Sequence, residues 1–165
     1  MNKATRHPDK CPFCLPDTHR NAFASSGSFL ALYNKSPILP GHILIISRSH
    51  FDSLRLLPDE LMTEFFLFAR DVTETLLGYY QADAFDWTIQ DNEAAGQSVP
   101  HIHLHIVVRH PDDLPDPGDW YPLLDAQKKT GSETRLKLST SEYNEISEQL
   151  RTAHRLRSKQ GGFRK

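Results

Sequence analysis

Three histidines alternate with apolar residues in His101-Ile102-His103-Leu104-His105, and chemistry is more concentrated there than anywhere else in the chain. In a β-strand, residues i, i+2 and i+4 share a face. The three imidazoles therefore line one side, and Ile102, Leu104 and Ile106 point to the other, where they can pack on a helix. Each imidazole carries ring nitrogens that need partners, and core packing asks for no such row. An unprotonated imidazole is a competent nucleophile near neutral pH, its unperturbed pKa being about 6.5. Attack on a phosphoryl centre would leave a covalent intermediate on histidine, resolved by water or another acceptor. The neighbouring imidazoles and amide donors would offset the charge on the phosphate oxygens. The same face can also hold a metal, and residue types alone do not choose between the two.

A second cluster is Cys11-Pro12-Phe13-Cys14. Two thiolates separated by two residues suit one knuckle of a tetrahedral metal site. Two further ligands are needed, and His50 and His101 are the candidates. Four protein ligands would close the site and make the metal, zinc by preference, structural rather than catalytic. The alternatives are a redox pair or two idle thiols. A thioredoxin-like role is disfavoured, because the pair lies in a polar N-terminal segment and not at a strand-to-helix junction. His7, His19, His110 and His154 read as surface residues.

These groups need a scaffold. Apolar and β-branched runs predict strands near 21–25, 29–34, 42–47 and 85–90, and strict alternation predicts a fifth over 101–109. Pro37, Pro40 and Gly41 mark a turn. Pro58-Asp59-Glu60 reads as a helix start, since proline is tolerated in the first turn and carboxylates favour the positive end of the helix dipole. Leu61, Phe65, Phe68, Ala69, Val72, Leu76 and Leu77 then recur at helical spacing, to about Tyr79. The Phe65-Phe66-Phe68 cluster and Tyr79-Tyr80 read as core. Residues 92–97 and 111–118 read as loops, 139–155 as a terminal helix with a Ser or Thr cap, and the basic end beyond as a frayed tail. The order β-β-β-α-β-β with short connections predicts an α+β fold with an antiparallel sheet.

The chain has 165 residues, enough for one domain with its own core. Lys plus Arg number 19 against 21 Asp plus Glu, a net charge of -2, which gives no basic stripe for nucleic acid. No run reaches the roughly 18 apolar residues of a membrane span, and Met1–Pro8 holds no apolar signal core. A cytoplasmic protein is expected, with neither nucleic acid nor membrane as partner.

The segment from Gln97 to Val107 resembles the signature of the histidine triad family of nucleotide hydrolases and transferases, His-φ-His-φ-His-φ-φ with φ apolar, at every position. The segment from Asn34 to His42 is similar to the family's first nucleotide-binding stretch, and Gln90 to Gln97 to the loop before the triad in its fragile-histidine-triad branch. The resemblance covers about residues 21–110, with 111–165 as an appended loop and helix of a single domain. It implies a five-stranded antiparallel sheet carrying one long helix and a C-terminal helix, and a homodimer with continuous sheets. It implies reaction at the α-phosphate through a nucleotidyl-histidine, first on diadenosine polyphosphates, with magnesium accompanying the substrate. Nucleoside phosphoramidates or adenylyl conjugates are the second choice, and a low-turnover nucleotide sensor is the reading from another class. His103 matches the nucleophile, His105 the third triad position near the phosphate, and Gln97 a donor to the phosphate chain or leaving group. Asn34 matches the ribose contact, Gln90 a second residue near the nucleoside, Ser98 a hydroxyl near the leaving group, and His42 a histidine that buttresses the site. Some family members bind structural zinc through such a Cys pair, a histidine after the third strand and the first triad histidine. The fragile-histidine-triad branch generally lacks the pair, so the chain mixes features of two branches.

Overall fold

Apolar runs too long to alternate build the centre of the sheet. The structure, a computed structural model, describes residues 11–114 and 137–159. Strand β2 (Phe29–Tyr33) and strand β3 (Ile43–Ser47) are buried along their whole length, so both of their faces are covered. With β1 (Ala24–Ser25), β4 (Ala84–Ile89) and β5 (His103–Arg109) they form one antiparallel sheet in the order β1-β2-β3-β5-β4. The fold is α+β, as expected, and the histidine strand lies between β3 and β4.

On one face Phe29, Ala31, Ile43, Ile45, Leu104 and Ile106 pack with Phe65, Phe68, Val72 and Leu76 of helix α2 (Asp59–Tyr80). Burying each of these side chains larger than alanine contributes about 1.5–3 kcal/mol. The other face carries Leu30, Leu32, Leu44 and Ile46, and Phe13 packs against them. The N-terminal segment, including the short helix α1 (Pro16–Arg20), therefore covers the face that α2 leaves open. The C-terminal helix, α3 here (Thr140–Lys159), buries Tyr143 and Leu150 in the α2-side core.

Local chemistry fixes the connections. Gly41 has φ +82, and a Cβ there would lie 2.3 Å from Val108 Cγ2, so only glycine fits the turn that delivers His42. Helix α2 ends at Gln81 in the left-handed region, and the Trp87 indole of β4 donates to Thr73 Oγ1 at 2.9 Å, tying sheet to helix. Glu64 reaches from α2 to the β1–β2 turn, where it accepts from Ser26 Oγ at 2.5 Å and Ser28 N at 2.8 Å.

Several expectations are corrected. β5 starts at His103, because the amide of His101 donates to Val99 O and that of Ile102 to Phe51 O, outside any ladder. The first strand shrinks to two residues, and Pro16–Arg20 forms an unanticipated helix. Phe66 is 37 % exposed, its ring edge-on to buried Phe65 at 5.3 Å and not in the core. His154 is largely buried between α3 and α2, with Nδ1 2.9 Å from Thr75 Oγ1, and α3 continues to Lys159 where fraying was expected. His19 is half-buried, its Nε2 donating to Phe13 O at 2.9 Å. The loop expected over 111–118 is described only as a turn through Leu114, and the N-terminal reading of Met1–Pro8, His7 included, lies outside the described residues.

Burial acts to raise the Glu64 carboxyl, but the hydrogen bonds from Ser26, Ser28 and Gly27 outweigh it and hold the pKa below the ordinary 4.5. A depressed pKa means stability fully present above the unfolded value and lost as pH falls through the folded one. Glu64→Gln is expected to cost about 1 kcal/mol at pH 7, the gain being limited by partial solvent screening. In urea melts the gap to wild type should close as pH falls below about 4.

Candidate active site and metal centre

The two faces of the sheet assign the histidines their surroundings. His103 is 3 % exposed and His105 7 % exposed, yet both line a cavity of about 280 Å³ on the face away from α2. Register sets His103 opposite Ile46 and His105 opposite Leu44, so the two rings project beside the apolar floor that Leu32 and Leu44 provide.

Hydrogen bonds determine which ring nitrogen carries the proton. His103 Nδ1 lies 2.7 Å from the carbonyl oxygen of His101, which can only accept. Nδ1 therefore holds the proton, and the lone pair of the neutral ring is on Nε2. His42 is fully buried, and its Nδ1 accepts from the Ile38 amide at 3.2 Å. Its Nε2–H then donates to His105 Nδ1 at 2.9 Å, which puts the His105 proton on Nε2. The site thus pairs an acceptor nitrogen on His103 with a donor on His105, the rings 5.1 Å apart.

The remaining candidates fall into two groups. Asn34, Gln90 and Ser98 line the cavity, Gln90 being 4 % exposed. Asn34 also shapes its turn: Oδ1 accepts from Ser36 N at 3.0 Å, and the amide nitrogen lies 3.4 Å from His42 Nδ1, the acceptor nitrogen of that ring. Gln97 does not line the cavity. Its Oε1 accepts from the Asn92 amide at 3.0 Å and its Nε2 donates to Asp52 O at 3.0 Å. His42 likewise stands behind His105 and not in the wall. Sequence reasoning missed Phe13, Thr18, Asn21, Lys35 and Tyr143, all of which line the cavity. Tyr143 arrives from α3, and Lys35 Nζ lies over its ring, 5.4 Å from the centroid. The wall includes no carboxylate among the described residues and one lysine, an electrostatic balance suited to an anion.

The four sulfur and nitrogen candidates do come together. One ligand atom from each of Cys11, Cys14, His50 and His101 falls within 4.8 Å of the others. His50 Nδ1 and His101 Nδ1 lie 3.3 and 3.6 Å from Cys14 Sγ, and His101 Nδ1 lies 3.4 Å from Cys11 Sγ. Tetrahedral zinc with its usual bond lengths sets such sulfur–nitrogen pairs about 3.6 Å apart. Both imidazoles are already oriented. His50 Nε2 donates to Asp52 Oδ1 at 2.7 Å and His101 Nε2 to Ser47 O at 2.9 Å, so each turns an Nδ1 lone pair toward the thiols. Burial pushes His101 down to about 4, keeping it a neutral ligand. Burial, aided by Cys11 beside it, pushes the Cys14 thiol up to about 11, which a bound cation would reverse. The cluster can hold a metal ion, and both cysteines are free of disulfide.

Known proteins bear on this geometry. Over 127 residues the chain is 28% identical to a bis(5'-adenosyl)-triphosphatase of Dictyostelium discoideum, covering 77% of this chain and 85% of that protein. It is 35% identical over 112 residues to the asymmetrical bis(5'-nucleosyl)-tetraphosphatase of Schizosaccharomyces pombe, covering 68% of this chain and 60% of that one, so it spans about three fifths of the second relative's length. Among solved structures, a histidine triad nucleotide-binding protein from Sulfolobus tokodaii superposes with TM-score 0.72 at 22% identity, covering 94% of this chain and 99% of that one. A zinc-bound histidine triad protein from Mycobacterium smegmatis superposes with TM-score 0.69 at 21% identity, covering 93% and 99%. At such identities the likeness is one of fold. The family model of the HIT domain matches residues 17–112, more than half of the sequence and all five strands, and the chain belongs to that family.

Proposed function

We propose that the protein is a nucleotide hydrolase or transferase that reacts at the α-phosphate, with diadenosine polyphosphates as its first substrate class. The observation that carries this reading is the tautomer of His103: a proton fixed on Nδ1 by the His101 carbonyl and a lone pair on Nε2, in a ring lining an anion-suited cavity. Support comes from relatives whose names are those of dinucleoside polyphosphate hydrolases.

In this reading Nε2 of His103 attacks the α-phosphorus, and the bond from that phosphorus to the bridging oxygen breaks. The leaving nucleotide departs with that oxygen. Water then attacks the nucleotidyl-His103, restoring the imidazole and releasing a nucleoside monophosphate. His105 donates its Nε2–H to a phosphate oxygen as charge builds there, and His42 holds that tautomer in place. Asn34 and Gln90 face the nucleoside and Ser98 the leaving side. Gln97 turns toward the phosphate chain only by giving up its loop contacts. Magnesium, where present, enters with the polyphosphate.

The Cys11, Cys14, His50 and His101 cluster holds a structural zinc, which supplies four bonds that pin the N-terminal segment to the sheet. The residues form a single domain and act as a homodimer in the cytoplasm. Support for the dimer is that β4 is an edge strand among the described residues, beside a patch of Phe66, Leu67 and Phe85, each at least 37 % exposed. Among the described residues no helix is long and apolar enough to cross a membrane.

Three outcomes are expected. His103→Ala should lower kcat on diadenosine triphosphate by about 10⁴-fold or more while changing the Kd for adenosine monophosphate little; residual turnover within tenfold of wild type would remove the nucleophile from position 103. Elemental analysis should find about one zinc per chain, and Cys14→Ser should lose most of it and lower Tm by at least about 5 °C. Sedimentation should give twice the chain mass, shifting to one mass for Phe85→Arg, whose new charge faces the apolar patch; a monomeric wild type would end the dimer reading.

A further inference from the structure

The Cys11–Cys14 knuckle belongs to two sites at once. Its end residues are the thiols of the metal cluster, and the two residues between them, Pro12 and Phe13, line the nucleotide cavity. The Phe13 ring meets the His103 ring at 5.4 Å and the His101 ring at 5.6 Å, both edge to face. It also packs against the Leu32 and Leu44 floor of that cavity. With one residue between Phe13 and Cys11 and none between Phe13 and Cys14, the ring cannot hold its place if the thiols leave theirs.

The knuckle also carries α1 with it. Thr18 Oγ1 donates to Pro12 O at 2.7 Å and His19 Nε2 to Phe13 O at 2.9 Å. Thr18 and Asn21 add to the same wall. One side of the cavity is thus a short segment, 11–21, whose attachment to the sheet runs through the four-ligand cluster and the Phe13 contacts. Without a metal, the ties at the cluster are sulfur–nitrogen contacts of 3.3–3.6 Å, among the weakest of hydrogen bonds. The HIT match begins at residue 17, so the knuckle lies just before the matched residues and reaches the cavity from outside them.

We propose that Phe13 couples the metal cluster to the nucleotide cavity, so that zinc occupancy sets nucleotide affinity and bound nucleotide in turn tightens zinc. This rests on the zinc and nucleotide readings above. The physical basis is that each ligand orders the same segment, so whichever binds second finds that ordering done. Linkage then requires the two effects to be equal.

The test is a thermodynamic square with zinc and adenosine monophosphate as the probes. Calorimetry measures nucleotide affinity on zinc-loaded and chelator-stripped protein. Competition with a chromophoric chelator measures zinc affinity with and without saturating nucleotide. Both ratios should agree at about tenfold or more. Phe13→Ala should keep its zinc by elemental analysis and its fold by circular dichroism, yet bring both ratios to near one. Phe13→Leu, which retains an apolar wall, should fall between. If stripping unfolds the chain, the zinc competition arm on wild type and Phe13→Ala still decides the matter. Ratios of one in wild type, or an undiminished ratio in Phe13→Ala, would overturn the coupling while leaving both underlying readings intact. Failure to bind zinc, or failure of the loaded protein to bind the nucleotide, would remove the corresponding reading and the coupling with it.

Discussion

The carbonyl of His101 is the contact on which the rest depends. It takes the Nδ1 proton of His103 at 2.7 Å and so decides which nitrogen of that ring keeps a lone pair. The same residue sends its own ring the other way, with Nε2 on Ser47 O and Nδ1 among the thiols. A shift of His101 would therefore alter the four-residue Cys–His cluster and the His103 ring together. This is why it stands just before β5 and not in it: released from the ladder, its carbonyl can turn to the imidazole two residues on.

A second chain of contacts works by the same rule from the opposite side. A backbone amide at Ile38 fixes His42, and His42 fixes His105. The consequence is two neighbouring imidazoles in opposite tautomers, one with a lone pair and one with a donor. That is the pairing required when one ring attacks phosphorus and its neighbour offsets charge on the phosphate oxygens. The turn that delivers His42 tolerates no side chain at Gly41, which links a backbone constraint between β2 and β3 to the protonation of a ring beside it.

The alternation of His103, Leu104, His105 and Ile106 was legible because period two has one meaning in a strand, and the structure puts Leu104 and Ile106 against α2. The approach of Cys11, Cys14, His50 and His101 was legible from ligand spacing together with family resemblance. Phe13 was not, although it sits inside the Cys motif, because an aromatic residue in a short polar segment carries no period. Tyr143 was not, because a helix about 40 residues downstream of the triad reaches the cavity only through tertiary packing. Gln97 shows the reverse case: its position matched a family role, while its amide is engaged by Asp52 and Asn92 in this structure. Local hydrogen bonds that hold a loop leave no trace in residue type, since the same amide can serve backbone or ligand.

The central claim is that Nε2 of His103 forms a bond to phosphorus. Alkaline quenching during turnover of diadenosine triphosphate preserves an acid-labile phosphorus–nitrogen bond, and peptide mass spectrometry then locates it. The account predicts one nucleoside monophosphate attached at His103 and none in the His103→Ala protein. An adduct on His105 or His101 instead, or steady turnover with no adduct at any histidine under conditions that preserve one, would contradict it.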